Sequence, residues 1–482
     1  MTKEINYAEL GFRCGLEVHQ QLDTKKLFCN CSSVLRKDEP DYEVLRKLHV
    51  VAGETGDIDK AVEYQTSLKK EFVYQGYKDN VCLIELDEEP PHEINQDALS
   101  VAVQIALLLN CKIIPITQIM RKTVVDGSNT GGFQRTVLIA EDGFVDTSKG
   151  RVGINSICLE EDSARVISRE EGKDVYRLDR LGIPLIEITT DADIKSPEQA
   201  KEAALKIGEV LRACKVKRGI GTIRQDVNVS ISEHPRIEIK GMQDMKIFTK
   251  AIENEIKRQK NNLEKSKDIK AEVRNVLPNS ETEFLRPMPG AARMYPETDL
   301  PLLRISRDFI NNIKKELPKL KQELEGELRK KGLSEEMIKL LLKQRKIDEF
   351  KGLLEFSGKP QLIAKMILIF PKEIASKLKK SVENVEDILS DFYPDILKAL
   401  EKGKISESDI KEIMLKIASG EKFEDAVKTE KADLNEIEER VIKIIKEKPG
   451  LNANAYMGLV MKEFKGKISG KEAMEIIRKY VS

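Results

Sequence analysis

The 482-residue chain carries no net charge, because 82 Lys+Arg balance 82 Asp+Glu although charged residues make up 34% of the sequence. No global field therefore draws in a polyanion, and any nucleic-acid contact must use local basic patches. Long apolar runs are missing as well. The longest, around Ile363–Phe370, falls far short of the ~20 residues that a membrane span needs, and the opening MTKEINYAELGF has no apolar signal core. Cysteines are few and odd in number: the seven, at 14, 29, 31, 82, 111, 158 and 214, are mostly scattered, which argues against a disulfide framework and for a reducing compartment. The expectation is a soluble cytoplasmic protein with no membrane contact. A Walker glycine loop, a kinase signature and a repeat of 20–50 residues are all lacking.

What is present divides at about Arg304. Before it, short β-branched alternating runs mix with a few helices and Gly/Pro turns; after it, Lys, Glu, Leu and Ile dominate. This predicts an α+β fold whose strand-rich domain, residues 1–303, is followed by a helical domain over 304–393 and a helical tail over 394–482. Ser196-Pro197-Glu198-Gln199 reads as a helix start running to about Ala213: serine caps the free N–H groups, proline fits the first turn and Gln199 can close a capping box. Leu434, Ile437, Val441 and Ile445 recur at helical spacing, and Ser469 with Glu472 marks the start of the last helix. Breaks near Lys359-Pro360, Tyr393-Pro394 and Lys448-Pro449-Gly450 divide the helical part.

Several strands place polar residues on one face, since side chains alternate along a strand. In Gly15–Gln21, Glu17, His19 and Gln21 oppose Leu16 and Val18. In Ile223–Ile231, Arg224, Asp226, Asn228 and Ser230 oppose Ile223, Val227, Val229 and Ile231, and Arg236, Glu238 and Lys240 alternate with Ile237 and Ile239. A solvated sheet explains any one such strand; the recurrence of carboxylates, a histidine and basic residues suits a metal–nucleotide site. Mg²⁺ takes hard oxygen ligands and keeps several waters, so Glu17, Glu161, Glu187 and Asp226 could supply oxygens and His19 a nitrogen. The run Glu160-Glu161-Asp162 needs an ion or basic partners to offset its repulsion, although a surface turn paired with Arg165 would serve equally. Glu187 lies inside the apolar run Ile183–Ile188, where an unpaired carboxylate is costly. The segment Arg121–Arg135, dense in glycine and hydrogen-bonding residues including Ser128 and Gln134, could cradle an anion with Lys122 or Arg135 neutralising phosphate, or be a plain hairpin. Cys29, Cys31 and Cys82 offer three soft ligands where structural zinc takes four; His49 or His92 could be the fourth.

Together, Gly15–Leu22, Leu159–Asp162, Asp179–Ile188 and Arg224–Ser230 resemble, in order and spacing, the signatures of the GatB/GatE amidotransferase subunits. Leu27–Cys31, Asp126–Thr136 and Arg286–Asp299 are similar to the E type within that family. The resemblance covers nearly the whole chain, including Gly458–Met461. It implies a cradle-shaped catalytic domain with an antiparallel sheet, a helical linker domain and a tail that grips tRNA, with Lys462, Lys465 and Lys467 as local basic residues. It implies His19, Glu161 and Glu187 as ligands of a catalytic Mg²⁺ and Glu17 and Asp226 as a neighbouring ion site; Lys122, Ser128, Gln134, Arg135, Arg224 and Lys240 are the candidates to contact ATP. The implied reaction phosphorylates the γ-carboxylate of glutamate on Glu-tRNA(Gln), and ammonia then displaces phosphate to give Gln-tRNA(Gln). Ammonia would come from an asparaginase-like D-type partner in a heterotetramer of two D and two E chains. One departure stands out. The E type commonly carries an insertion domain similar to one of bacterial aspartyl-tRNA synthetases, and here only a short linker over Val273–Phe284 occupies its place. A tRNA-binding scaffold with a decayed site and a small-nucleotide phosphohydrolase are the other classes the sequence leaves open.

Overall fold

The computed structural model describes residues 6–48, 70–265, 269–288, 294–427, 434–464 and 470–480. It divides into two compact units, Met1–Leu320 and Lys321–Ser482.

The first unit is built on an 11-stranded sheet. Its centre is β1 (Arg13–Gln21), flanked by β11 (Pro184–Thr190) and β12 (Ile223–Ser230), both antiparallel to it. Beyond β11 follow β8 (Gly150–Glu161), β7 (Phe133–Thr147), β6 (Ile119–Thr123) and β16 (Met294–Pro296), with β4 (Lys112–Ile113) also paired to β7. Beyond β12 come β13 (Ile237–Lys240), β14 (Glu272–Val276) and β15 (Thr282–Pro287). Every described pairing in this sheet is antiparallel except β13 with β14. A short separate ribbon pairs β5 (Ile116–Thr117) with β17 (Leu303–Arg304).

The alternation in the sequence decides which face is covered. Leu16 and Val18 of β1, Ile186 and Ile188 of β11, Val227 and Val229 of β12, and Ile157 and Leu159 of β8 are all buried in one apolar cluster. Helices Gln96–Leu108, Pro197–Ala213 and Phe248–Glu264 contribute their apolar faces, including Ala102, Ile105, Ile207, Leu211, Ile252 and Ile256, to the same cluster. Burying each large aliphatic side chain contributes roughly 1.5–3 kcal/mol relative to exposure, so the helices are fixed to that face and the polar face is left open. The capping expected at Ser196 is present: Ser196 Oγ accepts from Gln199 N–H at 3.2 Å. Gln199 Oε1 reaches one residue further back than a capping box requires, to Lys195 N–H at 2.8 Å.

A second, four-stranded sheet runs β2 (Tyr42–Arg46), β3 (Glu71–Gly76), β10 (Lys173–Arg177), β9 (Arg165–Glu170), with β3 and β10 parallel. Its buried Phe72, Tyr74 and Tyr176 form a separate small core. Tyr74 and Tyr176 donate their hydroxyls to the carbonyls of Gly127 and Asp126, at 2.8 and 2.7 Å, and so tether the loop between β6 and β7.

Three sequence expectations are corrected. Val273–Phe284 is an antiparallel hairpin at the edge of the large sheet rather than a linker, closed by Leu277 N–H to Glu281 O at 2.8 Å. The first unit continues past Arg304, because helix Arg307–Lys315 presents Phe309, Ile310 and Ile313 to the main apolar cluster. Pro360 and Pro394 begin helices Pro360–Leu368 and Tyr393–Glu401 instead of separating domains. A proline in the first helical turn costs no hydrogen bond. Leu362, Ile363, Tyr393, Ile396 and Leu397 all lie in one core of the second unit, and a separate core there joins Ile437, Val441, Tyr456, Val460 and Ile477. Helix Leu434–Glu447 forms as the spacing requires. Ser469, Lys465 and Lys467, and the side chains of Lys462 and Glu472, lie outside the described residues, as do His49 and residues 289–293. No helix among the described residues is long and apolar enough to cross a membrane.

Candidate metal and nucleotide site

The open face of the large sheet gathers the polar residues that alternation assigned to it. His19 lies directly opposite Glu187 across β1 and β11, and opposite Arg224 across β1 and β12; Glu17 lies opposite Asp226. Further along, Leu185 is opposite Glu160, Glu160 is opposite Thr136, and Gln134 is opposite Lys122. These strands line a cavity of about 570 Å³ that contains Glu17, His19, Lys122, Glu160, Glu187 and Asp226, and is closed on other sides by the β6–β7 loop, β9 and β15.

His19 is the hub. Its Nε2 stands 3.3 Å from Glu187 Oε2, 3.5 Å from Glu17 Oε1 and 3.7 Å from Glu160 Oε1. Burial works to lower the imidazole's pKa, but Glu187, Glu160 and Glu17 outweigh it and hold it above the ordinary value. Lys122 Nζ bridges Glu160 at 2.9 Å and Glu187 at 3.5 Å. Burial alone would raise the Glu187 carboxyl, but Lys122 and His19 keep it well below the usual carboxylate range. Burial and then the charge of Glu187 push Glu17 up to about 7, against the pull of His19. Asp226 accepts from Lys240 Nζ at 2.7 Å and from Gly241 N–H at 3.2 Å, while Lys240 also meets Glu238 at 2.7 Å.

Two overlapping donor sets follow, His19 with Glu160 and Glu187, and His19 with Glu17 and Asp226, each with its ligand atoms within 4.8 Å of one another. Four carboxylates and one imidazole around a polar cavity fit a hard divalent cation that takes its remaining ligands from water and phosphate.

The expected residues do not all converge. Glu161 is one position from Glu160 and therefore points through the sheet to the other side. There it accepts from Arg135 N–H at 3.3 Å and from Arg135 Nη1 at 3.4 Å, and burial, ahead of the opposing Arg135 charge, raises its pKa. Arg135 shares that side, with Nε 2.8 Å from Glu297 Oε2, so it does not reach the cavity. The triad is His19, Glu160 and Glu187. Gln134, Ser128, Arg224 and Lys240 do line the cavity. Gln134 donates to Glu161 O at 2.7 Å and Arg224 to Asp162 Oδ1 at 2.9 Å. Ser128 gives both its N–H and its hydroxyl to Asp126, at 3.0 and 2.6 Å, so the loop satisfies those donors internally.

Sequence reading took Glu160 only as part of an acidic run and not as a ligand, and assigned no role to Arg180 at the cavity or to Glu297 behind it. Arg180 lines the cavity, donates to Ser163 O at 2.7 Å and lies 3.8 Å from the buried Asp162. Glu297, fully buried, accepts from Arg121 at 2.6 and 2.8 Å and from Arg135. The motif around Arg286–Asp299 contained it without indicating its partners.

A family model described as the GatB/GatE catalytic domain matches residues 12–311. The protein named as the E subunit of glutamyl-tRNA(Gln) amidotransferase from Methanocaldococcus jannaschii is 35% identical, with 99% of each chain covered. That alignment runs over 628 positions against the 482 residues here, so many positions of the relative have no counterpart in this chain. Proteins of the same name from Methanothermobacter thermautotrophicus and Methanosarcina barkeri are 34% and 32% identical, covering 88% and 99% of this chain and 89% and 98% of their own. With the domain matched through the sheet that carries the site, and relatives aligned nearly end to end, the chain belongs to the GatB/GatE family.

Proposed function

We propose that this chain is the E-type component of a tRNA-dependent amidotransferase, which uses ATP and Mg²⁺ to convert Glu-tRNA(Gln) to Gln-tRNA(Gln). The observation that carries this reading is the convergence of His19, Glu17, Glu160, Glu187 and Asp226 with Lys122, Arg180, Arg224 and Lys240 in one cavity. Carboxylates alone would repel a nucleotide, and cations alone would bind phosphate without an ion. Their mixture suits a phosphoryl donor that arrives with a divalent cation.

His19, Glu160 and Glu187 would hold one Mg²⁺, with Glu17 and Asp226 beside it. When bound, the ion supplies neutralisation of charge on the phosphate oxygens. Lys122, Arg180 and Arg224 orient those oxygens, and Lys240, held protonated by Asp226 and Glu238 against the effect of burial, adds a fixed positive charge. An oxygen of the substrate's γ-carboxylate attacks the γ-phosphorus of ATP, ADP leaves, and an acyl phosphate forms. Ammonia then attacks the activated carbonyl carbon, loses a proton and expels inorganic phosphate. Ammonia comes from a D-type partner resembling an asparaginase, in an assembly of two D and two E chains. The strand-rich unit acts as the cradle for the aminoacylated end, while the last helical segment holds the tRNA body. The setting is the cytoplasm, where seven free thiols persist.

The test is formation of Gln-tRNA(Gln) from Glu-tRNA(Gln) with ATP, Mg²⁺, the ammonia-supplying partner and an amide donor. ATP hydrolysis that ignores tRNA would favour a small-nucleotide phosphohydrolase, and product formation that survives Glu187→Ala would contradict the assigned site.

A further inference from the structure

The loop that leads into β12 joins two features found together nowhere else on the described surface. From Arg212 to Arg224 the chain carries five cations, Arg212, Lys215, Lys217, Arg218 and Arg224, and no acid, although the protein as a whole has no net charge. At the tip of the loop Ile220 is completely exposed, with a fractional exposure of 108%. The next most exposed large apolar side chain among the described residues is Leu45, at 61%. A lone exposed apolar side chain is ordinary in itself. What sets Ile220 apart is the way the loop holds it out.

Both ends of the loop are fixed. Buried Gln20, the residue after His19 on β1, serves the carbonyls of Gln21, Lys217 and Thr222 with its side-chain N–H groups, each at 3.0 Å. The backbone adds Gln21 N–H to Thr222 O and Lys217 N–H to Gln21 O, both at 2.9 Å. Inside the loop, Thr222 Oγ1 donates to Gly219 O at 2.8 Å and Arg218 Nη2 to Arg212 O at 2.6 Å, while Lys217 Nζ donates to Ser33 O. Gly219 and Gly221, on either side of Ile220, have φ of +123° and +84°, and a Cβ added at either would meet nothing within 4 Å. These glycines therefore serve the path of the backbone rather than close packing, and that path carries Ile220 outward. Register places His19 opposite Arg224 and Gln20 opposite Ile223, so the loop leaves the sheet at the ends of β1 and β12 that bear two cavity residues.

We propose, resting on the amidotransferase reading above, that this loop receives the unpaired 3′ end of the tRNA: Ile220 packs against the face of a base, and Lys215 and Arg218 meet its phosphates. On that reading the glutamate to be activated sits in the cavity, so the nucleotides that carry it lie along the cavity's edge. A run of cations without an acid suits a polyanion better than the mixed charges of a protein surface. Unpaired bases offer faces that an apolar side chain covers, whereas a paired stem hides them. Ile220 is not among the residues lining the cavity, so ATP bound there leaves it uncovered. A loop already fixed at both ends also loses little conformational freedom on binding.

The test is equilibrium binding of uncharged tRNA(Gln) to the full-length wild type, Ile220→Asp and Lys215→Gln, over a series of salt concentrations. The same tRNA trimmed of its unpaired 3′ nucleotides is the comparison. Ile220→Asp should weaken binding of the intact tRNA about tenfold or more. Lys215→Gln should lower the slope of log affinity against log salt by about 0.7, the value for one phosphate of a single strand. Neither should change the affinity for trimmed tRNA or for ATP with Mg²⁺, and melting temperatures should stay the same because both side chains are exposed. Equal binding of intact tRNA by variants and wild type would overturn the proposal. So would a loss that persists with trimmed tRNA, a weakened affinity for ATP, or an Ile220→Asp chain that keeps tRNA but no longer assembles with the ammonia-supplying partner. Binding is read without turnover, so a wild type that binds tRNA and forms no Gln-tRNA(Gln) counts against the amidotransferase reading alone.

Discussion

His19 and Glu187 are direct cross-strand partners on β1 and β11, and the imidazole Nε2 stands 3.3 Å from the Glu187 carboxylate. Two more carboxylates, Glu17 and Glu160, approach the same nitrogen. A ring held this way is fixed by the sheet's register, because sliding either strand by one residue would turn that strand's own side chain, His19 or Glu187, to the helix-covered face and part the pair. Glu187→Gln should therefore lower kcat by roughly 10²–10³, the size expected for one preorganised electrostatic group. Filter binding with Glu-tRNA(Gln) checks that substrate binding survives.

Adjacent acids on β8 should behave differently. Glu160→Gln removes a cavity carboxylate that meets His19 and Lys122, and should reduce Gln-tRNA formation about 100-fold or more with little change in melting temperature. Glu161→Gln leaves buried Arg135 with a weaker partner, so it should lower the melting temperature while the folded enzyme keeps most of its turnover. Calorimetry and steady-state kinetics on both variants make the comparison, and the reverse pattern would undo the choice of Glu160.

Lys122 is the cation that bridges the two acids of the triad, Glu160 and Glu187. Lys122→Met should lower kcat/KM for ATP by about ten- to a hundred-fold, in line with roughly 1.5–3 kcal/mol for a hydrogen bond to a charged group. Arg135→Met, on the opposite side of the sheet, should leave the KM for ATP of the folded fraction unchanged.

Glu297 gives a pH dependence to stability. Burial works to raise its carboxyl, but hydrogen bonds from Arg121, Asp299 N–H and Arg135 hold it below the usual 4.5. A depressed folded pKa means the unfolded chain takes up its proton first, so the stabilisation is complete above about 4.5 and is lost as pH falls through the folded value. Glu297→Gln should cost about 1.5–3 kcal/mol near neutral pH. Urea midpoints measured down a pH series should show the gap to the wild type closing below about 4.5.

The strand faces were legible because alternation is a local property. Glu17 and His19 opposite Leu16 and Val18, and Arg224 and Asp226 opposite Val227 and Val229, lie on the faces that period two assigns. The error at Glu161 has the same origin. In a run of three acids every second residue shares a face, and only the register of β8 against β11 shows that Glu160 accompanies Glu187. Arg135 was misplaced for a similar reason, since its partner Glu297 lies 162 positions further along the chain and no local pattern links them. Prolines 360 and 394 read as boundaries because a proline that starts a helix and one that breaks a helix look alike until the packing is known. Glu85, whose carboxylate lies within 4.8 Å of the sulfurs of Cys29, Cys31 and Cys82, was overlooked as their companion because it is a carboxylate where a sulfur or imidazole was sought, although only two residues separate it from Cys82, a common ligand spacing.

The most direct test of the central claim follows radiolabelled γ-phosphate and the tRNA-bound amino acid together, with Glu-tRNA(Gln), Mg²⁺ and the ammonia-supplying partner, in the wild type and Glu160→Gln. The account predicts that the wild type releases one phosphate for each Gln-tRNA formed, and that Glu160→Gln binds tRNA but yields neither product at a comparable rate. Equal turnover by the two proteins, or phosphate release with no conversion of glutamate to glutamine, would contradict it.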